Sequence, residues 1–315
     1  MLFAPVPMHI PDGFLSTLVS IVFWVISVIG IAFAVRKTSK ELDEKQAPLM
    51  GILAAAIFAG QMLNFSVTGG TSGHLLGAAL ATILLGPWAS ILVMTTVVSV
   101  QAIVFQDGGL LALGTNIFNM AILGTAVAYA VYRLLMKLIK QQPVGLLVSG
   151  FAAAWASIFV ASLACALQLS LSGTSPANIA VPAMGLIHAL IGIGEGLITV
   201  GALAFVSATR KELVLPTEKK TDGTVGIMIF GGILTIALAI ISPLASSHPD
   251  GLEWVAEQNG FIGSAQDALY EIIPDYVMPG IASESLATII AGVIGAAMVF
   301  GILFLAIKSN KRKKA

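Results

Sequence analysis

Four histidines, His9, His74, His188 and His248, are the side chains of this sequence best suited to chemistry. Imidazole nitrogen suits Ni(II), Co(II), Cu(II) and Zn(II). Glu195 is an ionisable carboxylate set deep in an apolar run, Ile187-His-Ala-Leu-Ile-Gly-Ile-Gly-Glu-Gly-Leu-Ile-Thr199. A charge there is costly in hydrocarbon and marks a functional position by default. His188 and Glu195 are seven apart, so they share one helix face, about 10 Å apart along its axis. Two readings stay open. The pair forms a polar strip facing a pathway, or Glu195 is a hydrogen-bonded structural acid among close-packed helices. Gly192 and Gly196, four apart, favour close packing. The sequence contains no H-E-x-x-H, Walker A lysine, C-x-x-C or nucleophile elbow. Cys165, the single cysteine, can form neither an internal disulfide nor a thiolate cage. The expectation is a binding or transport protein, not an enzyme, with any energy source on another chain.

The elements that position these residues follow from composition. Of 315 residues, 57% are hydrophobic and 10% charged, with a mean hydropathy of +0.96. A soluble domain carries roughly 25% charge, so a water-soluble globule is excluded. So is disorder, given the apolar surface. The class expected is an all-α polytopic membrane protein, because barrel strands would show short alternating runs instead. Zero net charge suggests no nucleic-acid partner. Apolar segments fall at 14–35, 49–65, 75–85, 88–105, 110–135, 144–171, 181–207, 225–245 and 286–307. Most reach the ~20 residues that cross a ~30 Å core. Segment 75–85 covers only about 16 Å.

All 16 Lys and Arg residues fall in four clusters, at 36–45, 133–140, 210–220 and 308–314. The positive-inside rule places these in the cytoplasm, so the N-terminus lies outside and the C-terminus inside. Parity then gives seven crossings before Arg210 and two after. Segment 75–85 descends as a short helix, Gly86-Pro87 breaks the chain, and 88–105 returns; a re-entrant pair keeps the same parity. The expected units are a seven-helix unit at 1–207, a cytoplasmic linker at 208–224 and a two-helix unit at 225–315. All four histidines then lie at or near the outer face. The outer loop 246–285 carries seven acids and no basic residue. It is either a solvated loop, or a surface or lid that concentrates cations by long-range attraction.

Met8-His-Ile-Pro-Asp-Gly-Phe-Leu-Ser16 is similar to the N-terminal signature of the CbiM/NikM family, substrate-capture subunits of cobalt and nickel energy-coupling-factor transporters. The resemblance continues through Asn64-Phe-Ser-Val-Thr-Gly-Gly-Thr-Ser-Gly-His74 and the His188–Thr199 run, covering about residues 8–207. Ser247-His-Pro-Asp-Gly-Leu-Glu-Trp-Val-Ala256 looks like the PDGLE module of CbiN/NikN-type auxiliary subunits. The resemblance implies a seven-helix capture bundle fused to a two-helix module, in the cell membrane. It implies Ni2+ or Co2+ as transported substrate, a CbiQ/NikQ-like coupling subunit and a CbiO/NikO-like ATPase. The implied ligands are four nitrogens in a near-plane: the free amine of Met8, the backbone nitrogen and imidazole of His9, and the imidazole of His74. Square-planar nitrogen suits Ni(II) and Cu(II). Asn64, Ser66, Thr68, Thr71, Ser72 and His188 are expected to orient the imidazoles from outside the ligand set.

Met1-Leu-Phe-Ala-Pro-Val-Pro7 departs from this pattern. With those residues attached, the Met8 nitrogen is an amide rather than a basic amine. The segment lacks a basic region and a long apolar run, so it does not read as a signal peptide. Translation from Met8, or trimming, restores the amine. Two other classes are weighed: a self-sufficient proton-coupled carrier using His188 and Glu195, and a membrane oxidoreductase with paired-histidine haem.

Overall fold

The computed structural model describes residues 8–41, 46–209 and 224–312. Met1–Pro7 and nearly all of the expected linker at 208–224 lie outside them. The chain runs α1 (Thr17–Glu41), α2 (Gln46–Gln61), β1 (Phe65–Val67), β2 (Thr71–Gly73), α3 (Ala78–Leu85), α4 (Pro87–Val104), α5 (Leu113–Asn116), a π-wound stretch (Ile117–Leu123) and α6 (Gly124–Leu138). Next come α7 (Val144–Leu171), α8 (Ala177–Thr209), α9 (Thr224–Ile241), α10 (Gly251–Gln258) and α11 (Glu284–Arg312). Leu113–Leu138 forms one continuous span.

Six helices among the described residues are long and apolar enough to cross a membrane: α1, α4, the Leu113–Leu138 span, α7, α8 and α11. Ala47–Gln61 and Met228–Leu244 are apolar but shorter. Helix α3 has eight residues, about 12 Å, and begins at Ala78 rather than at 75. The cause is local. Gly77 sits at φ +81°, and the backbone N–H groups of Leu76 and Gly77 are taken by Glu195 instead of by a helical turn. Gly86 and Pro87 separate α3 from α4, as Gly–Pro punctuation dictates.

Small residues set the helix contacts. Trp155 and Phe151 of α7 lie against the backbone of α8 at Gly192 and Gly196, and the Trp155 indole donates to the Ala189 carbonyl (3.0 Å). Helices α9 and α11 pack on α2, with Phe300 against Gly51 and Phe58 against Gly295. Where lipid tails are as apolar as the side chains, such close approach is the main source of association.

The acidic loop after α9 is built structure, not an open solvated connection. It carries α10 and makes a parallel bridge from Asp250 to Ser72 in β2. Its backbone donates from Gln266 to Asp12 (2.8 Å), from Ile273 to Val104 (3.0 Å) and from Asp275 to Phe105 (3.1 Å). The β1–β2 hairpin faces it. Ser66 bonds Ser246, Thr71 bonds the Pro249 carbonyl, and Ser72 bonds the His248 carbonyl (2.8 Å).

Candidate metal centre

His9 precedes α1 on a segment held by a dense set of bonds. Asn116 accepts from Ile10 N–H (3.1 Å) and donates to the Ile10 carbonyl (3.0 Å). Asp12 accepts from the N–H groups of Leu110 and Ala112, both at 3.0 Å. Gly13 has φ +92°, and a Cβ there would lie 2.0 Å from the Ser264 carbonyl oxygen, so the Asp12-Gly13 turn admits no side chain. Asn116 itself is followed by the π-wound stretch, a feature that often re-aims side chains at functional sites.

His74 follows β2, and Glu195 fixes the chain on its other side. The Glu195 carboxylate is fully buried and accepts from Leu76 N–H (2.7 Å) and Gly77 N–H (3.0 Å). A carboxylate at those otherwise unpaired donors caps α3 and complements its dipole. Glu195 is therefore the hydrogen-bonded structural acid of the two readings. The Nδ1 of His188 is paired with its own helix at the Met184 carbonyl (2.9 Å). His188 nevertheless lines the same inner cavity as His9 and His74.

The two segments bring together residues 65 apart in sequence. The His9 and His74 rings meet edge to face, with centroids 5.4 Å apart. His74 Nδ1 faces the Leu75 carbonyl (3.1 Å), leaving Nε2 as the outward atom. His9 Nδ1 lies 3.0 Å from Asp107 Oδ1, and the His9 backbone N–H donates to the same oxygen (3.2 Å). The His9 Nε2 atom is buried and has no hydrogen-bond partner. Asp107 in turn accepts from the Tyr276 hydroxyl (2.6 Å) on the acidic loop. Asp250, from the same loop, places Oδ2 3.9 Å from His74 Nε2. Both histidines are thus faced by a buried carboxylate. A cavity of about 80 Å³ lies among Met8, His9, His74, His188 and Asp250. It is far too small for a haem macrocycle.

Electrostatics divide the two rings. Burial pushes His9 down, but the charge and hydrogen bonds of Asp107 outweigh it and hold His9 above its ordinary value. Burial likewise works against the Asp107 carboxylate, yet His9 and the Tyr276 hydroxyl hold it below the usual carboxylate range. His74 is pushed down to about 4, first by burial and then by His9. Its lone pair is therefore free at neutral pH. Burial pushes Asp250 up to about 8. No three His, Cys, Asp or Glu side chains among the described residues form a ready metal cage. Any ion held here needs backbone nitrogen or another donor beside the two imidazoles.

Four of the residues expected to orient the imidazoles bond elsewhere. Ser66, Thr71 and Ser72 bond the 246–249 stretch rather than a histidine, and Asn64 accepts the Ser246 N–H through its backbone carbonyl. They form a dock for the acidic loop. The orienting groups are Asp107, the Leu75 carbonyl and, through Asp107, Tyr276. Sequence reasoning left Asp107 and Tyr276 unassigned. One signal was available: Asp107 sits in a short connection next to an apolar span, far in sequence from any Lys or Arg.

Comparison with known proteins decides the family. Residues 9–213 match the model of the cobalt uptake substrate-specific transmembrane region, CbiM. The chain belongs to the CbiM family. Residues 225–312 match the PDGLE domain, so a CbiM unit is fused here to a CbiN-like module. A chain from Archaeoglobus fulgidus carrying the NikMN name is 34% identical over 301 residues, covering 94% of this chain and 97% of that one. The fused nickel transport protein NikMN of Rhodobacter capsulatus is 33% identical, covering 79% of this chain and 76% of its own. The crystal structure of a truncated transition metal transporter superposes with a TM-score of 0.58 at 35% identity, covering 64% of this chain and 99% of that one. Six apolar helices and this fold make the CbiM-family chain a multi-pass membrane protein of the nickel and cobalt transport class.

Proposed function

We propose that this chain is the substrate-binding component of an ATP-driven nickel or cobalt uptake system, and not itself an enzyme. It takes Ni2+ or Co2+ from the outer face of the cytoplasmic membrane through nitrogens of Met8, His9 and His74. A CbiQ/NikQ-like coupling subunit and a CbiO/NikO-like ATPase supply the energy that reorients it. Seven crossings in the capture unit (1–207) and two in the auxiliary unit (225–315) leave the N-terminus outside and the C-terminus in the cytoplasm. The observation that carries this reading is the pair of imidazoles, 65 residues apart in sequence and 5.4 Å apart between ring centroids. Neutral His74 offers Nε2 directly. A metal that takes the His9 backbone nitrogen must replace that amide's proton, and the Asp107 oxygen that already accepts the N–H (3.2 Å) is placed to receive it.

The full ligand set requires a basic amine at Met8, so the working amino end is Met8, exposed by internal initiation or by trimming. The proton-coupled alternative has less support, because both Glu195 oxygens accept backbone N–H groups. The deciding experiment is metal analysis of the purified native protein by mass spectrometry, with intact-mass measurement of its amino end. His74→Ala is expected to abolish retained nickel or cobalt in a folded, inserted protein. Unchanged metal in that variant, or a loaded and active chain with Met1 intact, would refute the ligand assignment.

A further inference from the structure

A second, larger cavity of about 640 Å³ lies between the acidic loop and the capture bundle. Six carboxylates line it: Asp107, Asp250, Glu253, Glu257, Asp275 and Glu284. No Lys or Arg among the described residues lines it. The acids are graded by depth. Glu257, Asp275 and Glu284 are exposed at the rim, whereas Asp107 and Asp250 are each 4% exposed at the floor. A cavity of one charge sign between low-dielectric walls focuses field lines and concentrates counter-ions.

The two cavities share two residues, Met8 and Asp250. Asp250 is rigidly held. It caps α10 and its Oδ1 accepts from the Glu253 N–H (2.8 Å). Its other oxygen stands 3.9 Å from His74 Nε2. A first-row dication with ligand distances of about 2.1 Å spans up to about 4.2 Å, so one ion can touch both atoms. Beyond it, in the inner cavity, the buried His9 Nε2 has no partner. The floor carboxylates also have no Lys or Arg partner among the described residues. Two buried acids beside an unpartnered imidazole nitrogen make a place for a cation rather than for an anion or a neutral solute.

We propose that the outer cavity is the entry chamber for the hydrated divalent cation, and that Asp250 is the carboxylate that passes it to His74. Rim acids draw the ion in with its water. Asp250 replaces water on the inward side, and the ion moves to the nitrogens as the carboxylate lets go. The auxiliary module thus supplies the entrance of a site whose ligands lie on the capture unit. This rests on the reading of His9 and His74 as metal ligands.

The test uses the full chain in detergent and Ni2+ alone, with association followed by stopped-flow and affinity by competition with a chromophoric chelator. The rim variant Glu257→Gln/Asp275→Asn/Glu284→Gln is expected to slow association about tenfold at low salt, with the difference vanishing at high salt and dissociation unchanged. Asp250→Asn, which keeps a good helix cap, is expected to slow association at both salt levels. Association within twofold of the parent in both variants overturns the entry chamber while leaving the binding reading intact. A parent chain that does not bind Ni2+, or His74→Ala binding as the parent does, overturns the binding reading itself. The rim variant touches only exposed residues, so the proposal stays testable even where Asp250→Asn fails to fold.

Discussion

The two metal-facing histidines are held by different regions in different ways. On the bundle side, the chain around His9 and His74 is fixed by carboxylates and an amide that take up backbone donors. Asp12 takes two N–H groups, Glu195 takes two, and Asn116 bonds both polar groups of Ile10. On the outer side, the acidic loop reaches the same histidines through single side chains, Tyr276 by way of Asp107 and Asp250 toward His74. That loop also carries consecutive non-glycine residues at positive φ, Asp275 at 52° and Tyr276 at 59°. Such residues cost of order 1–3 kcal/mol each and persist only where their surroundings over-determine them. Here Tyr276 stacks on Phe105 (4.7 Å, 15°). The bundle side builds the site, and the outer side adjusts and covers it.

Breaking the bundle side is expected to damage fold and binding together. Glu195→Ala leaves two buried N–H groups without an acceptor, at about 1–3 kcal/mol each, or about 2–6 kcal/mol in all. Thermal unfolding in detergent should show a Tm drop of many degrees, along with loss of bound metal. A variant with the parent's Tm would show that water replaces the carboxylate, and that α3 needs no cap. His188→Ala is the control from the same helix, expected to leave Tm nearly unchanged because its ring bonds only its own turn.

Breaking the outer side is expected to spare the fold. Asp107→Asn removes the charge that orients His9, and groups of this kind typically alter metal affinity 10- to 100-fold. Tyr276→Phe keeps the ring stacked on Phe105 and removes one hydrogen bond to a charged oxygen. A bond of that kind contributes about 1.5–3 kcal/mol at most, part of which water restores, so a fall in affinity of about tenfold or less is expected. Competition titration orders the two. Equal losses in both variants would mean that Tyr276, not His9, is what Asp107 serves.

Much of this was legible in the sequence and some of it was not, for a physical reason. Hydropathy located the helices, because apolar runs need only local reading. The Gly86-Pro87 break and the close packing at Gly192 and Gly196 were likewise local signals. The start of α3 was not, since Glu195 sets it from 118 residues away. The partners of His9 were hidden in the same way: Asp107 lies 98 residues along the chain, and Tyr276 a further 169. Ser66, Thr71 and Ser72 beside His74 looked like orienting groups by proximity in sequence. Their hydroxyls bond the 246–249 stretch instead, because a hairpin edge offers its polar groups to the strand-like stretch that lies along it.

The last difference between the two sides is one of protons. His74 is pushed to about 4, so near neutral pH it carries no proton that a metal must displace. Burial lowers His9 but Asp107 outweighs it, so His9 keeps its proton to higher pH than His74 does. The sign follows: metal competes with the His9 proton below the raised value and is free of that competition above it, so affinity rises with pH through this range. In Asp107→Asn the charge is gone while the residue 107 backbone carbonyl still faces His9 Nδ1 (3.2 Å), so burial is opposed less and His9 is held lower than in the parent. The variant therefore binds more weakly at about pH 8, yet loses less affinity than the parent on acidification to about pH 6. Asp250, pushed up to about 8 by burial with the Asp107 charge adding to it, shifts as well when that charge is removed, so the two curves report Asp250 together with His9. Parallel curves would show that the Asp107 carboxylate positions the ring without setting its charge.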